Sequence, residues 1–127
     1  MFHYNLVGVD RYTIAGTEKL APGRHVLLVD FKYDGGGLGK GASATINVDD
    51  KAAAEGRIER TIPFRVSVDE TLDIGEDTGT PVSEDYQVPF KFTGKLNRVL
   101  IRLGEGKLGP EDEEQIARAK AAIGVSE

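Results

Sequence analysis

Two stretches of this 127-residue chain carry residue types from which a site could be built. The first is the acidic loop DIGEDTGTPVSEDY, which sets Asp73, Glu76, Asp77, Glu84 and Asp85 around Gly75, Gly79 and Pro81. Carboxylates at that density could chelate a hard cation such as calcium, which takes about six to eight oxygen ligands. The D-x-x-E-D spacing followed by Glu84-Asp85 does not match an EF-hand loop, and no helical pattern flanks it, so a solvated turn between strands stands as the alternative reading. The second stretch, DGGGLGKG from Asp34 to Gly41, invites comparison with phosphate loops. Asp34 stands where the Walker pattern needs Gly, and Gly41 follows Lys40 where it needs Ser or Thr. The dinucleotide fingerprint fails as well, because Lys40 lies three residues after Gly37 and Ala42 three after Gly39. The next segment, ASATINV, has the alternation of a strand and is not the helix whose N-terminal amides would hold an anion. Asp34, Gly35, Gly36, Gly37 and Lys40 are therefore read as a wide loop between antiparallel strands, open to ligand or interface contact. His3 and His25 are far apart and lack companions at metal-ligand spacing, so both read as ordinary strand residues.

Composition narrows the classes. One domain with one core is expected at this length. Hydrophobic residues at 39% and charged residues at 29% argue against disorder of the whole, and sixteen glycines with short alternating runs favour strands and turns. A formal net charge of -5 with scattered Lys and Arg speaks against a nucleic-acid partner. No apolar run approaches the roughly 20 residues of a membrane helix, and the N-terminus lacks a secretory pattern, so a soluble chain without membrane association is expected, with its compartment open. The absence of cysteine removes disulfides and thiolate chemistry.

The elements that would position these loops emerge from periodicity. Phe2 to Ala15 reads as one or two short strands broken near Gly8-Val9-Asp10. Its abrupt opening suggests that Met1 marks a boundary within a longer parent chain, and that an exposed first strand favours homo-oligomers. Arg24 to Tyr33 alternates, with Leu27, Val29, Phe31 and Tyr33 on one face. Ala42, Ala44, Ile46 and Val48 line the next strand, Asp49-Asp50-Lys51 turns the chain, and Ala53 to Arg60 suits a further strand because Gly56 weakens a helix. Phe64, Val66 and Val68 mark a strand over 62–68. Val88, Phe90 and Phe92 then alternate before Gly94-Lys95, which predicts a two-residue II′ hairpin setting Phe90 opposite Val99 and Val88 opposite Ile101. Pro110 followed by four acids opens a short peripheral helix carrying Ile116, Ala119 and Ile123 and a Glu114–Arg118 pair. The sum is an all-β domain over 1–103, eight or nine strands in an antiparallel two-sheet β-sandwich, with a linker and short C-terminal helix over 104–127.

KYDGGGLGKG together with EGRIERTIPFRVSVDETLDIGEDTGTPVSEDYQVPFKFTGKLNRVLI resembles the C-terminal region of large bacterial arylsulfatases, from about Tyr4 to Leu103. The final hairpin is similar, more loosely, to the last strands of laminin-G-like and concanavalin-like jelly-roll sandwiches. The resemblance implies a non-catalytic domain that covers a sulfatase catalytic domain, in the same or a separate chain, shapes access to it, or helps subunits associate. It implies no catalytic, cofactor or metal residue here, with calcium a candidate ion for the parent enzyme. The formylglycine signature C/S-x-P-x-R is matched only by Thr61-x-Pro63-x-Arg65, and oxidation at a threonine β-carbon would give a ketone and not an aldehyde. The chain has Asp49-Asp50-Lys51 where that family tends to D-G-K. The alternative is a stand-alone carbohydrate-binding, lectin-like module built on the glycine and acidic loops, with calcium a candidate ion; with no Trp and four Tyr, aromatic platforms for sugars are few. An isolated hydrolase is a third reading, but no nucleophile, base and orienting group stand together.

Overall fold

A computed structural model describes residues 1–63, 72–106 and 109–122. The chain is mostly β, with three antiparallel sheets and one short C-terminal helix. Strands β1 (Phe2–Leu6) and β2 (Asp10–Ile14) form a hairpin, as the break at Gly8 predicts. Its turn is closed by the Val9 amide donating to the Leu6 carbonyl at 2.8 Å and by the Gly8 amide donating to Asn5 Oδ1 at 2.7 Å.

The second sheet has the order β3-β4-β5, with β3 at Leu27–Tyr33, β4 at Ala42–Val48 and β5 at Lys51–Ile58. Its register puts Leu27, Val29, Phe31 and Tyr33 beside Val48, Ile46, Ala44 and Ala42, so the two apolar faces read from alternation coincide. Asp49 and Asp50 both take positive φ, 49° and 66°, between paired Val48 and Lys51, the two-residue geometry that matches strand twist. The register slips between Ile46 and Asn47, leaving Ala53 as a bulge.

The core lies where the hairpin crosses this sheet. Ile14, Ala42, Ala44, Ile46 and Ile58 are its buried residues, with Phe2, Tyr4, Tyr12, Tyr33 and Ala54 packed around them. Gly56 makes the approach possible, since a Cβ there would stand 2.6 Å from Ile14 Cγ1. Tyr4 stacks on Phe31 with ring centroids 6.2 Å apart. Beyond that contact β3 is uncovered: Leu27 is 56% exposed, Leu28 56%, Val29 45% and Phe31 41%. The hairpin has only two strands, so it covers the β4–β5 side of the face and leaves the β3 side open.

The C-terminal half departs from expectation. The II′ hairpin over 88–101 does not form: β7 (Phe90–Lys91) pairs with β6 (Glu76–Asp77), and residues 95–106 have no strand assignment. Gly94 lacks the positive φ that a II′ turn requires, and the Phe92 ring folds over it, 2.6 Å from where a Cβ would stand. Of the residues expected to share a buried face, Phe90, Phe92, Val99 and Ile101 are exposed and Val88 is half-buried. The predicted strand over 62–68 falls, from Phe64 onward, outside the described residues.

Helix α1 spans Pro110–Ala122. Gly109 caps it: its amide donates to Asp112 Oδ2 at 2.9 Å while the Asp112 amide donates to the Gly109 carbonyl at 3.0 Å. Glu114 and Arg118 pair at 2.5 Å. Ile116 and Ala119 are half-buried and no helical residue is fully buried, which fits the narrow apolar stripe; Ile123 lies outside the described residues. Among the described residues no helix is long and apolar enough to cross a membrane.

Candidate functional site

The glycine loop is held by its own surroundings. Its glycines take left-handed backbone, with φ of 125° at Gly37 and 65° at Gly39, conformations that side chains resist. The Tyr33 hydroxyl donates to the Gly37 carbonyl and accepts from the Lys40 amide at 3.0 Å, so one side chain closes the loop on itself. Asp34 receives the Arg57 guanidinium in a bidentate pair, with Nη1 at 2.8 Å, and that hydrogen bonding holds Arg57 above its ordinary pKa. The pair lies across Gly41, where a Cβ would meet Arg57 Nη2 at 2.2 Å. Thr61, the threonine of the T-x-P-x-R run, donates from Oγ1 to the Lys40 carbonyl at 2.7 Å and ties β5's exit to the loop.

The acidic loop is dispersed among separate partners. Asp73 accepts from the Thr78 amide at 2.9 Å and its hydroxyl at 2.8 Å, and these bonds hold the carboxyl below its usual range. Asp77 accepts from the Tyr86 hydroxyl, which in turn accepts from the Val82 amide at 2.9 Å. Burial, then the bond to Asp77, raises the Tyr86 phenol. Glu76 stands opposite Lys91 in the short ladder. Ser83 donates to Asp85 at 2.6 Å. Glu84 pairs with Arg11 at 2.9 Å. Among the described residues no group of three or more His, Asp or Glu side chains converges to hold a metal ion, so the five carboxylates do not fit a calcium cage.

What the fold does assemble is a cleft of about 220 Å³ between the N-terminal hairpin and residues 82–85. His3, Tyr4, Arg11 and Thr13 line one side and Val82, Ser83, Glu84 and Asp85 the other. Its walls are tied by Arg11–Glu84 and by Asn5 Nδ2 donating to the Val82 carbonyl at 3.0 Å. Ser83 is turned toward Asp85, while His3 Nδ1 bonds the Thr13 hydroxyl at 2.8 Å and His3 Nε2 stands 4.0 Å from Asp85. The carboxylate thus sits between serine and imidazole, so the Ser83 hydroxyl is bonded to Asp85 and not to His3. The arrangement is suited to holding a polar group through Arg11, His3 and Asp85.

Sequence reasoning missed Arg11 and the role of His3, because Glu84 and Asp85 lie far away along the chain, and it missed Ser83, which bonds nearby Asp85 but meets the hairpin only in the fold. It also missed His25, whose Nδ1 meets Asp49 Oδ2 and whose Nε2 meets the Ala21 carbonyl, both at 2.6 Å, while Asp49 Oδ1 accepts the Val26 amide at 2.9 Å. The bond to Asp49 is the main cause of a raised His25 pKa, and Asp49 is lowered chiefly by the Val26 amide. No family model, no curated protein and no solved structure matches the chain.

Proposed function

We propose that the chain is a non-catalytic β domain of an arylsulfatase-like sulfuric ester hydrolase, an open sandwich of the jelly-roll kind that docks on the sulfatase catalytic domain. The observation that carries the docking is the open face of β3, where Leu27, Val29 and Phe31 lie exposed beside a core that, among the described residues, buries five hydrophobic side chains. A contiguous apolar patch of this kind marks a protein interface. The sulfatase identity of the partner rests on the resemblance carried by residues 32–41 and 55–101, which is an analogy of sequence.

The test is to mix the purified chain with an arylsulfatase-like catalytic domain that bears the C/S-x-P-x-R signature. A complex that Phe31→Asp and Val29→Asp weaken at least tenfold is expected, together with no turnover of an aryl sulfate by the chain alone. Turnover by the chain alone, or no complex, overturns the proposal. The cleft between the hairpin and residues 82–85 favours a second reading, a carbohydrate-binding module, since its volume of about 220 Å³ admits one sugar ring beside charged side chains. Glycan binding that Arg11→Ala removes and a chelator leaves intact would establish that reading instead.

A further inference from the structure

Two apolar segments of this chain lack the strand partner that their sequences call for. β3 is the edge of its sheet, bonded on one side to β4 and, among the described residues, to no strand on the other. Residues 99–103 form no strand, and Val99, Leu100, Ile101 and Leu103 are exposed. Written in parallel, 27–31 and 99–103 match at every position: Leu27 with Val99, Leu28 with Leu100, Val29 with Ile101, Asp30 with Arg102 and Phe31 with Leu103. The one acid of the first run faces the one base of the second. The common antiparallel alternative that keeps both apolar runs centred sets Asp30 against Leu100 and Leu28 against Arg102.

The structure already brings the near ends of the two segments to one cleft. Gly23, Arg24 and His25 face Lys95 and Asn97 across a shallow cleft of about 430 Å³. The same offset that pairs 27 with 99 pairs 23 with 95 and 25 with 97. We propose that residues 99–103 form a strap that closes onto β3 of the same chain as a fourth, parallel strand. Val99, Ile101 and Leu103 then join Leu27, Val29 and Phe31 on one face, while Asp30, which otherwise pairs with Lys32 at 3.3 Å, meets Arg102 on the other. The strap pairs the exposed edge and widens the apolar face. It deepens the docking reading only in what the finished face is for; the closure itself concerns the isolated chain.

The chain has no cysteine, so an introduced thiol pair is unambiguous. Adjacent strands lie about 4.7–4.9 Å apart, within the reach of a disulfide. In the isolated chain, Leu28→Cys with Leu100→Cys should oxidise to an intrachain bridge, at least tenfold faster than Leu28→Cys with Arg98→Cys, which is two residues out of register. Adding Asp30→Arg should slow the bridge several-fold, and Asp30→Arg with Arg102→Asp should restore it. Disulfide-linked dimers, equal rates for the two thiol pairs, or no restoration by the charge exchange would overturn the strap. Because no partner is present, failure here leaves the docking experiment to stand or fall by itself.

Discussion

The two halves of this molecule are held together by different physics. Up to Ile62 the hairpin and the three-stranded sheet run in registers of five to seven paired residues, and among the described residues every buried core hydrophobic lies there. From Leu72 to Gly106 the only ladder among the described residues joins two residues to two. That half is pinned instead by side chains that satisfy backbone groups or one another: Asp73 on Thr78, Tyr86 between Asp77 and Val82, Ser83 on Asp85 and Arg11 on Glu84. Burial is non-local and cooperative, whereas exposed polar contacts each contribute only about 0.5–1.5 kcal/mol. The first half should therefore set global stability, and the second should open locally.

Ile58→Ala would break the first half most severely. Ile58 is 0% exposed at the junction of hairpin and sheet, and truncation of such a residue costs about 2–5 kcal/mol, read as a lower denaturant midpoint with an unchanged slope. Tyr86→Phe tests the second half. It removes a hydroxyl that links Asp77 to the Val82 amide, at about 1 kcal/mol, and should speed amide exchange over 76–91 while leaving β4 amides protected. Should both changes lower one common transition equally, the division between the halves fails.

Asp50→Gly should sharpen the comparison in the other direction. Asp50 holds a φ of 66° that glycine adopts freely, so the change relieves a left-handed residue at a smaller entropic cost and should stabilise the sheet by about 0.5–1 kcal/mol in chemical denaturation. Asp49 must stay, because its carboxylate caps Val26 and holds His25. Smallest of all is the pH effect of that clamp. The folded pKa of His25 is raised, so its contribution is complete below the unfolded value of about 6.5 and is lost as pH rises through the folded value. The melting temperature should fall slightly over that window, and His25→Gln should flatten the slope.

Much of the first half was legible because alternation is a local property. The faces of β3 and β4, the turn at Asp49-Asp50, the strand around Gly56 and the helix start at Pro110 each arise from period, turn chemistry or capping. The hairpin at Gly94 was misread for a related reason. Alternation in Val88, Phe90 and Phe92 gives the period of a strand but not its partner, and the edge of that strand is taken by Glu76–Asp77 instead of 96–101. The acidic loop was left open between a chelating cluster and a solvated turn, because nearness in sequence says nothing of where each carboxylate finds its donor.

The amino-acid sequence alone determined where this chain extends, turns and coils, since steric preference and side-chain period act over a few residues. Tertiary structure decided which strands meet, which face stays open, and that Arg60 reaches back to Asp10 while Arg11 reaches forward to Glu84. Those choices depend on competition among distant segments for the same edges and the same charges, and no local pattern records the outcome of that competition.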